Sequence, residues 1–122
     1  MAKKCAIGGI KHDQGKLPMS LIPVSAKRGL AAVLAHGATK YNPQNWRKGM
    51  HWSRLIDSAY RHLDAFCEGK DVDDEPDAAG RPGSMQLHID CLQACAAFLS
   101  TYAHEGLGND DRYKPVRKER KK

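Results

Sequence analysis

Three apolar stripes at helical spacing, each closed by a glycine, leave this chain little choice of fold class. Pro23 suits a first helical position, and Leu30, Val33 and Leu34 recur at helical intervals until Gly37, a residue type that adopts the left-handed conformation of a helix end without steric cost. The spacing predicts a first helix over 23–36. Ser53 is a candidate N-cap for a second, in which Leu55, Ala59, His62, Leu63 and Phe66 share one face and Gly69 ends the pattern. Ser84 is a candidate cap for a third, whose stripe of Leu87, Cys91, Ala94, Cys95, Phe98 and Tyr102 runs on towards Glu105, Gly106 and Gly108. Only the stretch from Cys5 to Ile10 could form a short strand. The expectation is an all-α fold, a small helical bundle of three main helices packed closely at Ala94, Ala96 and Ala97. A core this thin commonly gains from self-association, so a homo-oligomer is expected.

The 122 residues suffice for one domain. The net charge of +6 suggests a nucleic-acid partner until it is located. Residues 1–111 hold 13 Lys and Arg against 13 Asp and Glu, and the whole excess lies in 112–122, where seven cations face Glu119 alone. The chain therefore reads as one domain over 1–111 followed by a basic tail, expected to be disordered, that could add weak, salt-sensitive contact with polyanions. With no apolar run near 18 residues and no signal-peptide core, a cytoplasmic protein with no membrane partner is expected. Cys5, Cys67, Cys91 and Cys95 form no CxxC pair and read as buried, reduced thiols.

Between the second and third stripes, Asp71, Asp73, Asp74, Glu75 and Asp77 fall within seven positions. Carboxylates so crowded repel one another unless a cation neutralises them, which points to Mg²⁺ or Mn²⁺; the other reading is a solvated loop. An antiparallel helix pair would bring His62 and His88 to the same end as this loop. Imidazole donors there would shift the choice of ion towards Mn²⁺, iron or Zn²⁺. Lys16, Lys40, Lys48 and Arg61 are cations suited to phosphate oxygens. Tyr41, Trp46 and Trp52 could stack on a base or pin their loop to the core. No Walker loop, GxGxxG, HExxH, GxSxG or zinc-ribbon spacing occurs, and metal-assisted phosphate chemistry survives that elimination.

Taken in order, the segments Asp13 to Lys16, Leu21 to Pro23, His36 to Tyr41, Asn45 to Arg54, Arg61 to Phe66 and Leu107 to Arg112 resemble a phage family, the dATP/dGTP diphosphohydrolase N-terminal domain, related to the MazG-like nucleotide pyrophosphohydrolases. The resemblance implies an all-α enzyme that hydrolyses a purine deoxynucleoside triphosphate to its monophosphate and pyrophosphate with Mg²⁺ or Mn²⁺, in phage nucleotide-pool metabolism. It further implies His62, Asp71, Asp73 and His88 as the catalytic, metal-binding core, with Lys16, Lys40, Trp46, Lys48 and Arg61 binding substrate. Cys91 stands where relatives carry a second histidine three positions after the first, and no pair of glutamates here has the ExxE spacing of the wider MazG-like group. Those two departures motivate an alternative, a non-catalytic, sponge-like nucleotide-binding protein. Asp71 and Asp73 are both expected to be exposed in the metal-free chain.

Overall fold

A computed structural model describes residues 6–115. Its regular elements are three α-helices: α1 (Val24–Lys40), α2 (Trp52–Cys67) and α3 (His88–Glu105), with single 3-10 turns at Met19–Leu21 and Asn45–Lys48. Neither residues 6–10 nor any other described segment forms a strand longer than an isolated bridge. The all-α expectation holds, and α2 and α3 form the principal helix pair, with α1 packed on α3.

The apolar stripes explain that arrangement. Cys91, Ala94, Cys95 and Tyr102 of α3 are buried together with Leu55 of α2, so α3 is the central helix and its small residues let its neighbours approach. Tyr102 is fully buried; its hydroxyl donates to the Trp46 carbonyl, and the Trp46 ring stacks on Phe98 with centroids 4.5 Å apart. This holds the 38–52 connection against α3. The far end of the α2 stripe is less covered than its spacing predicts, for Leu63 and Phe66 remain over a third exposed.

Three helix ends differ from the sequence reading. The first helix continues through Gly37 to Lys40, and Tyr41 is the capping residue, its N–H donating to the Gly37 carbonyl. Pro43 provides the stop, because the residue before a proline avoids helical geometry. α2 begins at Trp52, with His51 at the cap, because the Ser53 amide and hydroxyl are taken by the Asp111 carboxylate. α3 begins at His88, not after Ser84, whose hydroxyl donates to Asp73 instead. The glycine ends at Gly69 and Gly106 do take left-handed φ values of 87° and 68°.

The C-terminal segment locks the entry to α2. Trp52 Nε1 donates to the Leu107 carbonyl at 3.0 Å, the Trp52 amide donates to Asn109 O, and Asn109 donates back to Met50 O. Arg112 lies over the Trp52 ring at 4.8 Å, and Arg112 and Lys114 both pair with Asp110. The remainder of the basic tail, 116–122, lies outside the described residues, as does Cys5. Cys91 and Cys95 are buried, whereas Cys67 is exposed, because it falls at the end of α2 beyond the α3 contact.

Candidate metal centre and adjoining cavity

The 71–88 connection folds back on itself. Val72 and Leu87 form an antiparallel bridge, Asp73 N–H donates to Gln86 O, Met85 N–H donates to Asp73 O, and His88 N–H donates to Asp71 O. Met85 takes a left-handed φ of 61° where the chain reverses, a conformation uncommon for a non-glycine residue. Gly83 is required beside it, because a Cβ there would collide with the Asp73 backbone. This turn carries Asp73 to the mouth of the α2–α3 pair.

There the Asp73 carboxylate accepts from the Ser84 hydroxyl at 2.8 Å and from the Ser84 amide at 3.3 Å. One donor atom each from His62, Asp73 and Cys91 lies within 4.8 Å of the other two. The Nδ1 atoms of His62 and His88 are 2.9 Å apart, a distance at which they can share at most one proton between them. Burial lowers the His62 pKa, opposed by Asp73 and reinforced by His88 and Arg61, so this imidazole is neutral near pH 7 with a lone pair to offer. Burial pushes the Asp73 carboxyl up, but the two Ser84 hydrogen bonds and the nearby imidazoles outweigh it and hold the group ionised below its ordinary value. Burial raises the Cys91 thiol, and the Asp73 charge adds to the shift against the hydrogen bond from Ser84. The neutral His62 imidazole, a carboxylate and a thiol in one half-buried cluster, with His88 alongside, form a donor set that fits a divalent transition metal.

Of the expected site residues, the structure thus brings together His62, Asp73 and His88. Asp71 is exposed, and its backbone carbonyl positions the first turn of α3. Asp73 is half-buried, contrary to the expectation of exposure, because Ser84 draws it inward. Arg61 is exposed on α2 next to His62. Asp74, Glu75 and Asp77 are exposed as well, with Glu75 paired to Lys70 at 3.0 Å and Asp77 to Arg81 at 2.7 Å. They are ordinary surface charge. Sequence reasoning left Cys91 and Ser84 out of the candidate ligands; the signal for Cys91 was already there, in its place one helical turn after His88 where relatives carry a second histidine.

A second feature lies towards the other end of the helix pair. A cavity of about 490 Å³ is lined by Val33, Leu34 and Gly37 of α1, by Tyr41, Asn42, Trp46 and Lys48 of the connection, and by Arg54 and Phe98. Its volume lies in the range of small-molecule sites, and its aromatic walls and two cations suit a flat, anionic ligand. Trp46 therefore both pins its loop and lines a cavity. Lys40 is exposed at the end of α1, and Lys16 is exposed in the turn at 14–16, away from any described cluster.

Fold and site together define an all-α domain with a candidate metal centre between the second and third helices. The chain belongs to the family described as dATP/dGTP diphosphohydrolase, N-terminal, which matches residues 7–112. It is also similar to a dATP/dGTP diphosphohydrolase of Salmonella phage PMBT28, at 45% identity over 67 residues, which is 55% of this chain and 23% of that relative. The matched segment thus spans about a quarter of the relative's length. No solved structure matches.

Proposed function

We propose that this domain hydrolyses a purine deoxynucleoside triphosphate, dATP or dGTP, to the monophosphate and pyrophosphate, within phage nucleotide-pool metabolism. The observation that carries this reading is the convergence of His62, Asp73 and Cys91, with His88 alongside, in a chain of this family. A metal held by these residues would supply an activated water at neutral pH. The protein's own residues would do the rest. His62, kept neutral by burial, would offer its lone pair to that ion; Ser84 holds Asp73 ionised and oriented; and Lys48 and Arg54 at the cavity offer charge to the phosphates. Attack of water on the α-phosphorus forms one P–O bond and breaks the bond to the bridging oxygen, so pyrophosphate leaves and one proton is released. The reaction consumes no reductant or co-substrate.

Mg²⁺ or Mn²⁺ fits this scheme as the ion that accompanies the triphosphate, since Mg²⁺ binds largely through substrate phosphates, waters and one or two carboxylates. Exposed Asp71 is the carboxylate we assign to that ion. Incubation of the protein with each deoxynucleoside triphosphate and Mn²⁺ should yield pyrophosphate from dATP or dGTP. No pyrophosphate from any of the four would exclude hydrolysis. Nucleotide binding by calorimetry without turnover would instead support the sponge-like reading, which the missing ExxE pair favours.

We also infer self-association, supported by residues 6–25, all of which are exposed.

A further inference from the structure

The turn at Asp73 does more than present a carboxylate; it brings oxygen, nitrogen and sulfur donors to one point. We propose that Cys91 is a thiolate ligand, with His62 and Asp73, of a resident metal centre that selects a thiophilic ion of the zinc class over Mg²⁺. The inference rests on reading this cluster as the metal centre, and not on the nucleotide chemistry.

Three observations carry it. First, the donor atoms of His62, Asp73 and Cys91 lie within 4.8 Å of one another. Tetrahedral coordination at about 2.0–2.3 Å per bond sets ligand atoms roughly 3.3–3.8 Å apart, so small side-chain rotations close the site. Second, the cluster has the supporting contacts that orient ligands. Ser84 donates to Asp73 through hydroxyl and amide, and the same hydroxyl lies 3.8 Å from Cys91 Sγ. The backbone of 71–73 is tied to that of 85–88 by three hydrogen bonds. Third, His88 adds a further imidazole nitrogen 2.9 Å from that of His62. A set containing imidazole and thiol is unsuited to Mg²⁺, which takes hard oxygen donors in octahedral geometry.

Cys95 is the internal control. It lies one turn further along α3, is equally buried at 6%, and faces Ser58 and Arg61 with no carboxylate or imidazole to join it. Burial alone therefore does not distinguish the two thiols; the neighbours of Cys91 do.

The test is titration of the full-length, reduced, metal-stripped protein with Co²⁺, followed by its thiolate-to-metal charge-transfer absorption. The wild type should develop that band with one equivalent of Co²⁺ per chain, lose it to stoichiometric Zn²⁺, and retain it in a thousandfold excess of Mg²⁺. Cys91→Ser should abolish the band and weaken Zn²⁺ binding at least tenfold, while Cys95→Ser leaves both unchanged. Cys91→His guards against a folding artefact, and should bind Co²⁺ with d–d absorption but no thiolate band. Absence of the band in the wild type, its survival in Cys91→Ser, or its displacement by Mg²⁺ would each overturn the proposal. The hydrolysis reading fails separately: a Co²⁺–thiolate band in a protein that cleaves no nucleotide retains the centre and removes the reaction, and cleavage without the band does the reverse.

Discussion

Asp73 owes its position and its charge to Ser84. The hydroxyl and amide of that serine take up the carboxylate, so the ligand is presented in one orientation before any ion arrives. Replacing Ser84 by Ala removes the shorter of the two hydrogen bonds while leaving the chain reversal intact. Loss of such a supporting contact typically weakens metal binding by about 10–100-fold, and Zn²⁺ titration of S84A should show a fall in that range with the helical circular dichroism unchanged. Tyr102 presents the opposite case, a residue whose role is stability. Its ring is fully buried and its hydroxyl serves the Trp46 carbonyl, so Tyr102→Phe removes that hydrogen bond and leaves the carbonyl the Gly49 amide alone. A net loss of roughly 1–2 kcal/mol is expected, read from urea unfolding. Metal binding should be unaffected, since Tyr102 lies three turns of α3 beyond Cys91.

At the level of elements, the start of α2 depends on residues more than 50 positions away. Gly108, with φ 69°, lies against the Met50 carbonyl, and a Cβ there would meet backbone. Gly49 approaches the same segment, for a Cβ built on it would stand 2.9 Å from Gly108 N. Gly108→Ala therefore imposes both a strained φ and a clash, and should cost roughly 1–3 kcal/mol or more, seen as a lowered melting temperature. The second anchor is electrostatic. Hydrogen bonds from the Ser53 side chain and backbone hold the Asp111 carboxyl below its ordinary value of 3.8. Because the folded-state value is depressed, this contribution is complete above pH 3.8 and disappears as pH falls through the folded-state value. The melting temperature of Asp111→Asn should accordingly lie below that of the wild type at neutral pH, with the gap narrowing below pH 4; a gap independent of pH would show that the charge of Asp111 is not what anchors the helix.

The whole molecule shows an imbalance between what it buries and what it leaves uncovered. Five apolar side chains are buried, while Ile7, Ile10, Leu17 and Leu21 of the N-terminal arm are each at least 76% exposed. The backbone hydrogen bonds of the arm are local ones among 13–22, and none reaches the helical body. The arm nevertheless lies within the family match, which begins at residue 7. Side chains of this size stabilise by roughly 1.5–3 kcal/mol each on full burial, and a second copy is the surface we propose for them. Sedimentation velocity should find a dimer or larger species, and Ile10→Glu together with Leu21→Glu should shift it towards monomer. A wild-type monomer at all accessible concentrations would remove the idea. No described helix is long and apolar enough to cross a membrane.

Periodicity alone determined the three helices, because an apolar stripe at 3.6-residue spacing has no other way to be buried, and the glycine ends at Gly69 and Gly106 followed from the φ values only glycine adopts freely. Sequence also singled out His62, Asp73 and His88, since residue type restricts which side chains can ligate or transfer protons. It did not reveal that the acidic loop separates into one inward carboxylate and a solvated remainder. That division depends on the Val72–Leu87 bridge and on Ser84, contacts made across 11 to 15 residues and without periodic signature. Ser53 and Ser84 read locally as caps, yet long-range partners took their side chains, because a carboxylate accepts a hydrogen bond more strongly than a neutral acceptor does. Cys91 was the plainest case: the resemblance marked it as standing in a histidine's place, but its periodicity is that of one more apolar position in a helical stripe, and only the packing of α2 and of the folded loop against that stripe placed an imidazole and a carboxylate beside its sulfur.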